Sequence, residues 1–248
     1  MRSPGDKPLL VRLTHAVNAL AILVLVMSGL QVFNAHPALY WGQKSTFDTP
    51  WLQMGMIEAA DRAYGVTQIG SVRLDTTGLF GVSGAAGEPR GFPAWATLPS
   101  YRDLASGRRW HFFFAWVLVL NGAVYLTANA ATGRGRRFFP ARDELTPGHL
   151  AREIADHARL RFAPGLNTLQ KLSYLGMVLA VLPLMVATGL TMSPGMNAAW
   201  PWLVELFGGR QSARSIHFIC ASLVVAFVLV HLAMVAAVAI RGRKGAQP

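Results

Sequence analysis

Charge is scarce in this sequence. Only 14% of its 248 residues are Asp, Glu, Lys or Arg, against about 25% in an ordinary soluble domain. Hydrophobic residues make up 52%, so a water-exposed surface of normal size cannot be built, and disorder is excluded for the same reason. Cysteine is almost absent. The single Cys220 excludes a disulfide framework and every multi-cysteine zinc or iron–sulfur site within the chain. Acidic residues are the rarer sign, 12 against 23 Lys and Arg, for a net charge of +11. The basic residues gather at the ends of apolar runs, where they act as a topology signal and a lipid-headgroup contact rather than a nucleic-acid surface. No internal repeat or low-complexity run stands out.

Four runs lack charge for long enough to cross a bilayer, which takes about 20 mostly apolar residues. They cover about residues 13–33, 110–131, 169–192 and 215–240, the third interrupted only by Lys171. The first is too long for a removable signal peptide, and it lacks a small-residue cleavage site. The expected fold is an all-α integral membrane protein: a four-helix bundle forming one domain over 1–248. Pro183 in the third run predicts a kink.

Lys and Arg near the run ends set the orientation. Arg2, Lys7 and Arg12 precede the first run, Arg241, Arg243 and Lys244 follow the last, and segment 132–168 holds seven arginines. Segment 193–214 has only Arg210 and Arg214. Both termini and the 132–168 loop are therefore expected in the cytoplasm, and segment 34–109 outside, in the periplasm of a bacterium. That segment is rich in Gly, Pro and aromatics, which suggests a cap of loops and short helices with Trp41, Trp51 and Trp95 as interfacial anchors. Residues TPGHLAREIADHARLRF on the other side read as an amphipathic helix at the inner surface.

Four of the seven histidines, His15, His111, His217 and His231, fall inside the apolar runs. An ionisable residue at membrane depth is costly and points to function. His217 and His231 are 14 residues apart, close to four turns, so they share a helix face and stand about 21 Å apart along the axis. His111 and His217 lie near the outer ends of their runs, and His15 and His231 towards the inner side. Each could simply form a hydrogen bond between helices, but four residues at two matched depths argue against coincidence. Two facing imidazoles without a carboxylate or thiolate suit the axial positions of haem b, the pairs being His15 with His231 and His111 with His217. Zinc would call for four tetrahedral ligands, and no methionine or cysteine completes a familiar copper site around these histidines.

Several segments carry a resemblance: RLTHAVNALAILVLVMSGLQ, NAHPALYWG, GRRWHFFFAWVLVLNGAVYL and SARSIHFICASLVVAFVLVHL. They resemble the prokaryotic cytochrome b561 and nickel–iron hydrogenase b-type cytochrome family over nearly the whole chain. Within it, the sequence is most similar to the cytochrome b subunits that accompany periplasmic molybdopterin oxidoreductases, such as thiosulfate-reductase-like ones. The resemblance implies two b haems in a four-helix bundle and electron exchange with the quinone pool, with His15, His111, His217 and His231 as iron ligands. Many members have tryptophan after the first histidine, where this chain has Ala16.

Haem propionates require cationic partners at the membrane edge. Arg108, Arg109 and Arg214 are placed for an outer haem, and Arg12 (with Lys171 as a weaker choice) for an inner one. A quinone site needs hydrogen-bond donors in an apolar cleft, for which Asn18, Asn167, Gln170 and Lys171 are the inner-side candidates. Gly29, Gly122, Gly176 and Gly189 suit close helix packing or the approach of a flat ring.

The expected function is a di-haem electron carrier between quinone or quinol and a periplasmic redox protein, such as a molybdopterin enzyme, docked on 34–109. Tyr40, Trp41, Trp51, Trp95 and Tyr101 are its candidate anchors. Such a chain would be the electron-transfer subunit of an oxidoreductase. The alternatives are a self-contained superoxide:quinone oxidoreductase on the same fold, and a metal or proton transporter without haem.

Overall fold

A computed structural model describes residues 9–58, 62–83, 87–159 and 165–244. Arg2 and Lys7 of the topology signal and Arg161 of the inner segment lie outside them. The chain divides into two compact units, residues 1–135 with 205–212 and residues 136–204 with 213–248.

Four helices are long and apolar enough to span a bilayer: α1 (Leu9–Phe33), α2 (Leu104–Ala131), α4 (Thr168–Thr191) and the Arg210–Ile240 stretch of α7 (Arg210–Lys244). Their large apolar side chains point outwards. Leu20, Phe113, Leu120, Leu229 and Val230 are all more than half exposed, as a lipid-facing surface requires. The all-helical membrane architecture expected from the apolar runs is present.

In the first unit α1 and α2 pack against each other. Asp103 caps α2 by accepting from the Ser106 amide at 3.0 Å. The segment between the two helices is not the set of loops and short helices that its composition suggested. It forms strands β1 (Ala38–Leu39), β2 (Leu52–Glu58), β3 (Ala63–Ile69) and β4 (Val72–Asp75) in an antiparallel sheet of order β1-β2-β3-β4, with a hairpin of β5 (Gly81–Ser83) and β6 (Glu88–Arg90). Ile69 pairs with Val72 across a tight turn in which Gly70 takes φ +58°. Glycines at 55, 65 and 81 break the alternation of apolar and polar residues, which hides these strands from a composition reading. The same glycines let the hairpin lie on the sheet: a Cβ on Gly81 would stand 2.2 Å from the Gly55 carbonyl.

This cap is tied to the C-terminal end of α1. Asn34 donates to the Phe92 carbonyl at 3.1 Å and accepts from the Phe92 amide at 2.6 Å. Gln31 donates to the Tyr101 carbonyl at 2.9 Å.

The second unit begins after α2. The amphipathic helix expected there is α3 (Pro147–Ala158), although residues 160–164 of its quoted stretch are not described. Glu153 on α3 receives the amides of Thr168 at 3.1 Å and Leu169 at 3.0 Å, the free donors at the start of α4. Burial alone would raise the Glu153 pKa, but these hydrogen bonds outweigh it and hold the carboxyl below its ordinary range. Lys171 and Glu144 pair at 2.8 Å. Within α4, Met177–Val181 forms a π turn just before Pro183. The wider turn makes room for the proline ring and its missing N–H, so the expected disturbance occurs one turn earlier than the proline. Short helices α5 (Pro194–Ala199) and α6 (Pro201–Leu206) precede α7.

Candidate functional site

His111 on α2 packs against α1 where Ser28 and Gly29 follow one another. Its Nδ1 lies 3.1 Å from Ser28 Oγ, and the ring also hydrogen-bonds the Leu25 backbone. Ser28 is fully buried and gives its own proton to the Val24 carbonyl at 2.6 Å. Its oxygen is therefore left as an acceptor. The hydrogen between Nδ1 and Ser28 Oγ then belongs to the ring, which assigns His111 the Nδ1–H tautomer. Nε2 then keeps its lone pair, the condition for ligating a metal. Gly29 makes room for the ring, since a Cβ there would sit 3.2 Å from His111 Cε1.

The second unit repeats the arrangement with different residues. His217 Nδ1 lies 2.9 Å from the Met185 carbonyl and 3.2 Å from Thr188 Oγ1. Thr188, also fully buried, donates to the Leu184 carbonyl at 2.8 Å. A Cβ on Gly189 would stand 3.4 Å from His217 Cε1. Carbonyl, hydroxyl and glycine follow at the same spacing in both units: Leu25, Ser28 and Gly29 in one, Met185, Thr188 and Gly189 in the other. Both histidines are held as Nδ1–H tautomers on a glycine seat.

His15 and His231 lie on exposed helix faces. The Phe227 ring stacks on His231 at 6.1 Å with 9° between planes. The α1 turn carrying His15 is fixed by Asn121 of α2, which donates to the Thr14 carbonyl at 2.8 Å and to Asn18 Oδ1 at 2.6 Å. On α1, 13 residues separate His15 from Ser28, the contact of His111, or about 20 Å of rise. On α7, 14 residues separate His231 from His217, about 21 Å. Each unit, taken by itself, presents histidine at two levels with nearly the same spacing.

Other candidates have identifiable roles. Arg108 lies over the Phe112 ring at 5.5 Å, Arg109 donates to Ser106 Oγ at 2.8 Å, Arg12 is exposed and Arg214 half-buried. Asn167 and Gln170 form the capping box of α4. Gly122 and Gly176 meet nothing a Cβ would touch. Among the proposed docking anchors, Trp41, Trp95 and Tyr101 are more than half exposed, whereas Tyr40 is 2% exposed. Tyr40 therefore belongs to the cap's core and is withdrawn as an anchor.

Ser28, Thr188 and the carbonyls of Leu25 and Met185 were missed in the sequence. The hydroxyl–glycine pairs in MSGL and ATGL were the signal. The residues fit a b-type haem: imidazole is a suitable donor, Nε2 would be the atom facing the iron, and the ring orientation is set by neighbouring groups.

The prokaryotic cytochrome b561 family matches residues 7–247. A protein of Azospira oryzae, provisionally named protein-methionine-sulfoxide reductase subunit YedZ1, is 28% identical over 233 residues, covering 92% of this chain and 88% of that protein. No solved structure matches the chain. The match over almost the whole length, together with four apolar helices and their histidines, makes this chain a member of the prokaryotic cytochrome b561 family, a multi-pass membrane protein of a b-type haem, electron-transferring lineage.

Proposed function

We propose that the chain holds two b haems, one by His15 and His231 and one by His111 and His217, and carries electrons between the quinone pool and a redox protein outside the membrane. The observation that carries this reading is the repeated seat that holds His111 and His217 through Nδ1, the tautomer in which Nε2 is the basic nitrogen. The equal spacing of the two histidine levels in the two units supports the second haem. A b-type haem held by these histidines would supply a one-electron couple suited to electron transfer.

The protein's part is to hold, orient and insulate. The Leu25 and Met185 carbonyls make the imidazoles stronger donors. The buried hydroxyls fix ring rotation, and the lipid-facing helices exclude water. Arg108, Arg109 and Arg214 lie near the outer histidines in sequence and are proposed as propionate partners there, with Arg12 at the inner level. Among the quinone candidates, Asn167 and Gln170 are used in the cap of α4 and Lys171 in its pair with Glu144. We retain Asn18, beside Asn121 and one turn from His15, as the quinone-side donor.

The Azospira oryzae relative is named as the subunit of a reductase, which favours a partnered chain over the self-contained superoxide oxidase. The reading is of an inner-membrane subunit with cytoplasmic termini. It passes electrons from quinol outwards to a periplasmic oxidoreductase, of the molybdopterin class, seated on the cap. A reduced-minus-oxidised spectrum with haem counted per chain tests it. Two b haems, one lost with His111→Ala and the other with His15→Ala, are the expected result. Folded protein without haem would sink the proposal in favour of an ion or proton carrier.

A further inference from the structure

Arg90, at the end of β6, is the only charged side chain buried among the described residues, at 4% exposure. Its guanidinium donates to the Ser100 carbonyl at 2.8 Å, Thr97 Oγ1 at 3.1 Å and Gln31 Oε1 at 3.2 Å. Among the described residues its Nε has no hydrogen-bond partner. Its paired carboxylate among the described residues, Glu88, is 4.0 Å away on a side chain 55% exposed, so water screens it and the buried positive charge is poorly matched. A buried, incompletely paired ion is expensive. A neutral residue could tie the same three acceptors less tightly at lower cost, so the charge itself calls for an explanation.

Its position supplies one. Gln31 is three residues beyond Ser28 on α1, and Gly107 is four residues before His111 on α2. The two meet, because a Cβ on Gly107 would stand 2.9 Å from Gln31 Cγ. The Arg90–Gln31–Gly107 layer therefore lies one helical turn, about 5 Å, outside the Ser28–His111 layer. Counting the side chains, the guanidinium is on the order of 10 Å from the His111 ring.

We propose that Arg90 is a positioning charge for the redox centre at His111: a buried cation in the cap that favours the electron-holding state of the outer haem and so draws electrons towards the docking side. The inference rests on the haem reading of His111. Gaining an electron lowers the local charge by one, and a fixed cation stabilises that state most where water and counter-ions are excluded. The cap is then part of the electron path's energetics as well as a surface.

The test is a redox titration of the full-length protein, followed by its haem spectrum, for wild type, Arg90→Gln and Arg90→Lys. The outer component is identified as the one lost with His111→Ala. With Arg90→Gln the reduced-to-oxidised ratio of that component at a fixed potential should fall about tenfold, a shift of 59 mV for a one-electron couple. The inner component should be unmoved, and Arg90→Lys should stay near wild type. An unchanged outer component, or equal shifts in the Gln and Lys variants, would overturn the proposal, the second because it would show a packing effect. Should Arg90→Gln fail to assemble, Gln31→Glu replaces one amide with a carboxylate beside the intact guanidinium. It should lower the outer potential in the same direction, and no shift would again overturn the idea. Wild type without haem would instead overturn the reading on which it stands.

Discussion

Thr188 Oγ1 lies 3.2 Å from His217 Nδ1 while giving its own proton to the Leu184 carbonyl at 2.8 Å. That second bond turns the hydroxyl into an acceptor and fixes the hydrogen on the imidazole. Ser28 does the same for His111. Thr188→Val keeps the shape and removes this acceptor, but leaves the Met185 carbonyl. The expected outcome is full haem content with a loss of about 1 kcal/mol in stability. The outer midpoint potential should rise slightly, because the axial imidazole becomes a weaker donor. Potentiometric titration of the purified variant checks the direction, and an unchanged or lowered potential contradicts the assignment.

The two glycine seats differ in tightness. At Gly29 a Cβ would be 3.2 Å from His111 Cε1, close enough that the ring must shift. At Gly189 the same atom would be 3.4 Å from His217 Cε1, an ordinary contact. Gly→Ala in a helix is otherwise favourable by up to about 1 kcal/mol. Gly189→Ala should therefore retain its haem and melt no lower than wild type, whereas Gly29→Ala should lose outer haem. Haem per chain, measured side by side, decides the order, and equal loss in both would show that the seats are not what distinguishes them.

Much of this was legible beforehand. Apolar runs fixed the spans, because a bilayer imposes a length that little else in a sequence imitates. The spacing of the histidines along their helices followed from helical rise alone. The cap was not legible, since its short strands are interrupted by Gly55 and Gly65 and are held by the Gly81 contact, which joins residues distant in sequence. The partners of the histidines were missed for a related reason. Ser28 and Thr188 look like ordinary small residues for helix packing until the opposite helix brings a ring against them. Asn167, Gln170 and Lys171 are polar residues at a helix start, where capping and ion pairing compete with any ligand role.

Asn121 ties α2 to the α1 turn that carries His15, through the Thr14 carbonyl and Asn18. Hydrogen bonds between helices in membranes average about 0.6 kcal/mol and reach about 1.7. Asn121→Leu should cost a comparable amount and broaden or shift the inner haem signal while leaving the outer one alone. Equal disturbance of both signals would mean that Asn121 supports the helix pair as a whole.

Glu153 links pH to the start of α4. Its carboxylate receives the Thr168 and Leu169 amides and approaches His149 Nε2 at 3.1 Å. The folded pKa is depressed despite burial. A depressed acid contributes stability above its unfolded pKa of about 4.3. That contribution is lost as pH falls through the folded value. Wild type should therefore lose stability on acidification below about pH 4.3, in a step that Glu153→Gln lacks. The variant, unable to accept both amides as a charge at the helix start, should be less stable at neutral pH by about 1–2 kcal/mol. Thermal melts of both proteins across the acidic range measure the difference. Parallel curves would show that the Glu153 charge does not support the start of α4.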